Sequence, residues 1–189
     1  MNPVLKAIAE RRAVRNYESR PVPKEIIIKI IEAANQAPSA MNSQPWRFVV
    51  VEDKEFHRKL VKAAIPNNRK WLEPFKDVNP ERYKAILKRY EELEDPVYYS
   101  APVIIFVIGS GKFADPSCPL ACQNIMLAAY SLGLGSCWVH LGSLVTDNEE
   151  IKKELELSGE EKIYGPIIVG YTKKFPEPPP KKEPRVKWI

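Results

Sequence analysis

Apolar residues recur at helix or strand spacing along most of the chain, and this periodicity predicts its elements. The predicted elements, in chain order, are a helix over 4–12, a loop over 16–23, a helix that opens at 23–25 and closes at 37–39, a strand over 46–51, a helix over 53–64, a strand over 103–108, a helix over 119–132, a strand over 136–141, a helix over 148–155 and a strand over 163–171. A length of 189 residues suits one compact domain.

Two segments depart from this regular pattern. Residues 67–95 are charged and aromatic, and we interpret them as a helical excursion or lid with a helix over 84–93. In residues 173–189, prolines prevent a regular helix and remove the donors that a central strand needs. A flexible tail is one interpretation, but the terminal Trp188 and Ile189 favour docking on a partner. We therefore expect a single domain over 1–172 and a basic, Pro-rich docking tail over 173–189.

Charge and cysteine usage exclude several classes of protein. The 29 Lys and Arg residues are interleaved with 24 Asp and Glu, as in residues 149–154, and give a net charge of +5. Such mixing indicates a solvated surface and no nucleic-acid partner. No apolar stretch is long enough to cross a bilayer, and no signal peptide is recognisable, so we expect a cytoplasmic protein without membrane contact. Three cysteines do not make a disulfide framework, in agreement with a reducing compartment.

A first candidate for chemistry is the basic run at the end of the first predicted helix. Arg11, Arg12 and Arg15 place three guanidinium groups within five residues. Like charges at this spacing repel unless an anion lies among them, and a guanidinium offers a planar fork that matches phosphate oxygens. Taken alone, the run is better explained as an ordinary basic surface cluster.

A second candidate is the Pro-bounded loop over 37–46, which leads from a helix into a buried strand. It concentrates Ser39, Asn42, Ser43 and Gln44, whose hydroxyls and amides donate and accept hydrogen bonds. An isoalloxazine ring needs this mixture because its pyrimidine edge alternates carbonyl acceptors with a ring N–H. A turn whose polar residues satisfy their own backbone is an equally good explanation of the loop alone.

Taken together, the two segments closely resemble the N-terminal signature of the nitroreductase-like FMN (flavin mononucleotide) flavoproteins. The matching stretches are 11–17, 21–23, 37–39, 42–46, 120–140 and 165–171, followed by a basic Pro-rich tail. The resemblance covers most of the chain and leaves residues 67–95 poorly matched. Many relatives carry Ser where this chain has Ala13, so one hydroxyl donor is lost and the backbone N–H remains.

The resemblance implies an α+β fold with a mainly antiparallel central sheet flanked by helices. It also implies an intertwined homodimer with an extended C-terminal tail and one FMN in each interface. The basic run and a basic tail position hold the phosphate, while the loop contacts the ribityl chain and ring from the other subunit. The implied FMN-binding residues are Arg11, Arg12, Ala13, Arg15, Pro38, Ser39, Asn42, Gln44, Trp138, Val139, His140 and, in the tail, Lys182 or Arg185.

The implied activity is transfer of electrons from NAD(P)H to a small organic acceptor by a ping-pong mechanism. Acceptors of this kind include nitroaromatics, quinones, enones and flavins, and dehalogenation would use the same cofactor. The flavin carries the chemistry, so we assign no catalytic side chain and no metal. In this family the variable excursion covers the substrate face, and here Trp71 and Phe75 are weak candidates for an acceptor pocket. Two alternatives are an oxygen-dependent enzyme that fragments flavin to make the cobalamin lower base, and a non-catalytic flavin-binding redox sensor.

Several residues admit a plainer interpretation. Cys118 and Cys122 lie four apart on a helix and are better explained as a buried thiol pair than as metal ligands. We expect Cys137 to pack in the core, although a thiol near a flavin can be redox-active. His140 could deliver a proton, but a histidine satisfied at a strand end is the better prediction. A Gly-Leu-Gly sequence at 133–135 follows a helix and precedes a strand, the reverse of the dinucleotide-binding order.

Overall fold

A computed structural model describes residues 2–189, which form seven α-helices and five strands. The helices are α1 (Pro3–Glu10), α2 (Lys24–Asn35), α3 (Lys54–Leu72), α4 (Phe75–Val78), α5 (Pro80–Glu92), α6 (Ala114–Ser131) and α7 (Glu149–Glu154). The strands are β1 (Trp46–Val51), β2 (Val103–Gly109), β3 (Gly135–Trp138), β4 (Lys162–Ile163) and β5 (Ile167–Gly170). Short 3-10 turns over Ala40–Asn42 and His140–Ser143 follow α2 and β3.

The strands form one sheet in the order β1-β2-β5-β3, and every pairing between them is antiparallel. β2 pairs with β1 from Val51 opposite Ile104 to Trp46 opposite Gly109. Its other edge is shared by β5 and β4, and β3 forms the far edge of the sheet. The predicted α+β fold with an antiparallel sheet is confirmed.

Helices cover both faces of the sheet, so β2 is buried along its whole length. Its side chains alternate between the two faces. Val103, Ile105 and Val107 pack with residues of α2 and α6 in one core. Ile104, Phe106 and Ile108 pack with residues of α3 and α7 in the other core. This double burial explains why the strand is a continuous apolar run in the sequence.

Two strands are shorter than the sequence predicted. The strand predicted over 136–141 ends at Trp138, where the chain bends into a 3-10 turn. The strand predicted over 163–171 is divided into β4 and β5, since Pro166 has no N–H to donate to a ladder. The Pro166 carbonyl instead accepts from the N–H of Val139 at 3.0 Å. The interruption of one strand therefore supports the turn that ends the other.

α3 continues to Leu72, beyond the predicted end at Ala64, although Pro66 lies inside it. A proline within a helix costs about 3 kcal/mol because it removes one backbone hydrogen bond and crowds the preceding turn. Leu60, Ala64, Asn68 and Leu72 recur every four residues and are all buried, so one face of the helix packs without a break. Burial of this face outweighs the cost of the proline.

The other helix boundaries differ less. α6 begins at Ala114, earlier than the predicted residue 119, so Pro119 lies inside the helix. α1 ends at Glu10 and leaves Arg11 and Arg12 in an extended segment. Removal of these two arginines from the helix matters for the site, because an extended segment can lie along a strand.

The excursion over 67–95 is helical, as predicted, and is buried only near its ends. Asn68 and Leu72 are buried at its start, and Tyr90 and Asp95 at its end. Between them, all residues over 73–82 are exposed, and this range includes α4 and the beginning of α5. The excursion is therefore an arm held at both ends.

Candidate functional site

The N-terminal basic run lies along β3 at the edge of the sheet. Ala13 forms a parallel bridge with Ser136, and the N–H of Val14 donates to the Ser136 carbonyl at 3.0 Å. A side chain on Gly135 would meet the Val14 side chain at 2.8 Å, so the close approach requires glycine there. The Tyr17 hydroxyl donates to the Val14 carbonyl at 2.7 Å and closes the segment. The fold thus fixes the backbone of the run before any ligand is present.

The three guanidinium groups of the run have no carboxylate partner among residues 2–189. Arg12 donates from one terminal nitrogen to two carbonyls, of Ala9 and Arg11, and its Nε is buried without a partner. The Ser136 hydroxyl, on the strand to which the run is bridged, is also buried and unpaired. Buried polar atoms without partners cost free energy, so this donor set fits an anionic ligand such as a phosphate.

Arg15 of the run and Arg89 of α5 lie near the same aromatic ring. The guanidinium of Arg15 lies 5.9 Å from the centre of the Tyr99 ring, and that of Arg89 lies 5.1 Å from the same ring. Tyr99 and Ser100 both have positive φ (59° and 53°), so the ring is placed by a strained turn. The Nε of Arg89 is buried and unpaired. Arg89 was not identified from the sequence.

The turn after β3 meets the aromatic end of α3. Trp138 is half-buried, Val139 is buried and His140 is exposed. The Trp71 ring lies edge-on to His140 at 5.6 Å between ring centres, and Phe75 stacks on Trp71 at 5.1 Å. Trp71 and Phe75 are each 42% exposed, so the cluster is an open wall and not core packing. The structure therefore brings the weak candidates of the excursion to the predicted flavin-side segment.

The loop over 37–46 lies away from the basic run of its own chain. It leads into β1, which is one edge strand, whereas the run lies on β3 at the other edge. Met41, Asn42 and Gln44 have positive φ, and the Ser39 hydroxyl accepts from the Gln44 N–H at 3.0 Å. Pro38 and Asn42 are exposed, and Met41 is 88% exposed. A strained loop with an apolar side chain in solvent is typical of a surface that contacts something else.

The C-terminal tail starts beside the N-terminal segment and has no helix or strand, as predicted. The Tyr171 carbonyl accepts from the Glu18 N–H at 2.9 Å. Phe175 then packs edge-on against Tyr130 at 5.5 Å, and the Tyr130 hydroxyl donates to Glu10, next to the basic run. Four basic tail residues are exposed beyond this contact: Lys181, Lys182, Arg185 and Lys187.

The three thiols are buried and free, as expected of core packing. Burial raises the pKa of Cys118 to about 11 and that of Cys122 to about 12. Burial also raises the pKa of Cys137, against the opposing effect of Arg15 and Arg11. Among residues 2–189 there is no group of three or more His, Cys, Asp or Glu residues that could hold a metal ion. Within the same range, no helix has both the length and the apolarity to cross a bilayer.

Sequence reasoning missed the polar residues that anchor the excursion. Asn67 and Asn68 lie at the start of the segment predicted only as a helical excursion, and Tyr98 lies three residues beyond its end. Asn68 had a usable signal, because it continues the every-fourth-residue pattern of α3 and is fully buried. Asn67 and Tyr98 had none, since their partners lie more than 40 residues away in the chain.

Fold and site together define a class of protein. It is an α+β domain with a cationic cradle (Arg11, Arg12 and Arg15, without a carboxylate partner in residues 2–189) at one sheet edge. The turn that follows the same edge strand contacts an aromatic wall (Trp71 and Phe75). The chain belongs to the nitroreductase family, whose model matches residues 8–171.

Individual relatives agree with this assignment. A Methanothermobacter thermautotrophicus protein, named provisionally as an NADH dehydrogenase/NAD(P)H nitroreductase, is 34% identical over 92% of this chain and 79% of its own. The iodotyrosine deiodinase of Thermotoga neapolitana is 29% identical over 93% of this chain and 90% of its own. The nitroreductase of Desulfitobacterium hafniense, solved with bound FMN, has a TM-score of 0.80 at 28% identity and covers 100% of this chain and 99% of its own.

Proposed function

We propose that the protein is an FMN-dependent oxidoreductase that takes electrons from NAD(P)H and passes them to a small aromatic acceptor. The observation that carries this proposal is the basic run fixed along β3, whose guanidiniums have no carboxylate partner within residues 2–189. The relatives named above as a nitroreductase and as an FMN-bound enzyme support the same cofactor. Bound FMN would supply the hydride chemistry, and the protein would supply position and charge.

The residues that hold FMN come from separate elements. Arg11, Arg12 and the N–H of Ala13 would bind the phosphate, and the buried, unpaired Nε of Arg12 fits this role. Arg15 would place positive charge near the ring and stabilise the anionic reduced flavin. The turn with Trp138, Val139 and His140 would flank the ring. Lys182 or Arg185 would complete the phosphate site, since the tail passes beside Glu10.

A homodimer would complete the site. Pro38, Ser39, Asn42 and Gln44 lie at the opposite sheet edge from the basic run, so one chain alone does not bring both halves together. α1 has no buried residue and exposes Val4 (64%), Leu5 (58%) and Ile8 (53%), which is an apolar face suited to a second subunit. Each site would then use the basic run of one subunit and the loop of its partner, with the tail docked across the interface.

The acceptor would lie against the aromatic wall. Trp71 and Phe75 stack with an interplanar angle of 28°, each ring is 42% exposed, and the Trp71 ring lies edge-on to His140. Planar acceptors such as nitroarenes, quinones or halogenated phenols stack well on such a surface. Electrons would arrive from NAD(P)H and leave to the acceptor in separate half-reactions, as a ping-pong mechanism requires.

The test is the visible spectrum of the purified protein before and after anaerobic addition of NADH or NADPH. A bound flavin that bleaches, and returns when a nitroarene or quinone is added, is the expected result. Parallel double-reciprocal plots at several acceptor concentrations would support the ping-pong order. A protein that neither contains FMN nor binds added FMN would contradict the proposal.

Two other results would select the alternatives. Stoichiometric loss of FMN in air with a reductant would indicate the flavin-fragmenting enzyme, and stable FMN with negligible turnover would indicate the redox sensor.

The aromatic wall is tested by Trp71→Ala. We expect the KM for a nitroarene to rise about tenfold, because a ring-stacking contact contributes about 0.5–1.5 kcal/mol beyond its buried area. Turnover with ferricyanide, which is not aromatic, is the matched control and is expected to be unchanged. Equal losses with both acceptors would show that Trp71 acts on the flavin or on the fold and not on the acceptor.

A further inference from the structure

The turn after β3 is tied to the protein interior through its carbonyl groups. The Tyr98 hydroxyl donates to the Gly142 carbonyl at 2.7 Å, and the Asn67 amide donates to the Leu144 carbonyl at 3.0 Å. Tyr98 is completely buried, and a side chain on Gly142 would lie 2.5 Å from its ring. The ring and the turn are therefore in direct contact as well as hydrogen-bonded.

A third bond comes from Asn68, which is also completely buried. The orientation of its amide that satisfies both ends donates to the Leu141 carbonyl at 2.7 Å and accepts from the Tyr90 hydroxyl at 3.1 Å. Three carbonyls within four residues are thus bound by three side chains from outside the turn. A segment held at this density cannot rotate without leaving several buried groups unpaired.

Tyr98 is itself fixed by a carboxylate that organises the end of the excursion. Asp95 accepts the N–H groups of Val97 (3.1 Å), Tyr98 (2.7 Å) and Ser100 (2.7 Å), and pairs with His57 at 2.8 Å. Burial acts to raise the pKa of Asp95, but these hydrogen bonds together hold it below its usual value. The anchor is therefore an ionised carboxylate with hydrogen-bond partners on both oxygens.

The turn also has two backbone donors without a partner in the described chain. The Gly142 N–H donates to the Val139 carbonyl, whereas the N–H groups of His140 and Leu141 donate to no other residue in the range 2–189. With the carbonyls bound inward, these two donors stay available at the segment that flanks the flavin in the proposed function.

We propose that Asn67, Asn68 and Tyr98 are positioning residues for FMN. They hold the turn so that its free N–H groups meet the ring, and they touch neither the cofactor nor the acceptor. The inference rests on the proposed function, because the turn has this role only when FMN is bound. It assigns the base of the excursion to the cofactor site and leaves its exposed arm to the acceptor.

The test compares Tyr98→Phe with Tyr83→Phe. Tyr98→Phe removes only the hydroxyl that binds Gly142. Tyr83→Phe removes a hydroxyl that donates to Glu73 at 2.8 Å on the exposed arm, without contact to the turn. The readouts are the FMN dissociation constant of the apoprotein, from quenching of flavin fluorescence, and the midpoint potential of bound FMN. We expect a dissociation constant about five- to tenfold higher and a shifted potential for Tyr98→Phe alone.

Asn67→Ala provides a second variant at a half-buried position, in case Tyr98→Phe does not fold. If both variants fold with a lower melting temperature but keep wild-type FMN affinity and potential, the role is structural only and the proposal is overturned. If the wild-type apoprotein binds no FMN, the proposed function fails first, and the two failures are thereby distinguished.

Discussion

Arg47 and the basic run place the same side chain in two opposite situations. Arg47 pairs with both oxygens of Glu161 at 2.7 and 2.8 Å and donates to the carbonyls of Leu155 and Glu156. Its hydrogen bond and charge hold the pKa of Glu161 down to about 2. A guanidinium with this set of partners joins the start of β1 to the loop after α7, and its charge is already balanced by a carboxylate.

The basic run shows the reverse. Arg11, Arg12 and Arg15 lie within five residues, have no carboxylate partner in the described chain, and leave a buried Nε unpaired. Mutual repulsion and an unsatisfied donor both destabilise the apoprotein. A protein tolerates such a cost in the ligand-free state when a bound anion removes it. The comparison teaches that guanidinium charge left without a carboxylate on a fixed backbone, more than the number of arginines, is the feature that fits an anionic ligand.

The largest expected effect is on FMN affinity, and it concerns the basic run and not Arg47. Arg12→Ala is expected to weaken FMN binding about 10- to 100-fold, because a hydrogen bond to a charged group contributes about 1.5–3 kcal/mol. The dissociation constant is measured by fluorescence quenching. Arg58→Ala is the control, because it removes the same charge at an exposed position of α3. Equal losses in both variants would mean that net charge, and not the cradle, governs affinity.

The next effect is on stability and not on FMN affinity. Arg47→Met is expected to lower the free energy of unfolding of the apoprotein by about 2 kcal/mol, since it leaves a partly buried carboxylate without its partner. Urea denaturation provides the measurement, and Lys59→Met, which removes an exposed ion pair, is expected to match the wild type. FMN affinity should stay unchanged. A change in affinity comparable to that of Arg12→Ala would remove the distinction between the two kinds of arginine.

The pH dependence of stability sharpens the same contrast. The pKa of Glu161 is about 2 in the folded protein, below the ordinary value of 4.5 that it takes in the unfolded chain. The unfolded state therefore binds its proton first as the pH falls. The contribution of the pair is complete above pH 4.5 and is lost progressively toward pH 2.

Glu161→Gln isolates this contribution, since other depressed carboxyls such as Asp95 remain in both proteins. The difference in unfolding free energy between wild type and variant should shrink between about pH 5 and about pH 2.5. A difference that stays constant over this interval would show that the pair stabilises by packing and not by charge.

Much of the fold could be predicted because its signals are local. The continuous apolar run of β2 and the amphipathic pattern of α2 fix their own positions, and both elements agree with prediction apart from their ends. The errors arose where a distant partner decided the outcome. The predicted helix over 53–64 stops before Pro66, yet the buried face from Leu60 to Leu72 carried α3 through this proline. Pro166 divided a predicted strand because it has no N–H to donate to the ladder that β2 forms with β4 and β5 on either side of it.

The candidate site divides in the same way. The basic run and the polar loop were recognisable, because each concentrates its chemistry within a few residues. Their opposite positions on the sheet and the contact of Trp71 with His140 depend on topology. Arg89 carries no local pattern at all, since its significance comes only from Tyr99, on the strained turn that follows α5.

The smallest expected effect concerns Cys137, which lies beside the cations of the run. Arg15 and Arg11 act to lower its pKa, and a neighbouring guanidinium is a common way to make a thiol reactive. Burial at 2% exposure raises the pKa by more, so we expect an inert thiol. Cys137→Ala should change FMN affinity and turnover by about twofold or less.

Labelling with an aromatic disulfide reagent measures the thiol directly. The native protein should show no rapidly reacting thiol, and the denatured protein should show all three. One thiol that reacts in the native state as fast as free cysteine, and is absent from Cys137→Ala, would mean that the unpaired guanidiniums activate it. The cations would then do more than bind an anion. An inert Cys137 would instead show that their charge acts only where solvent or a ligand can reach it.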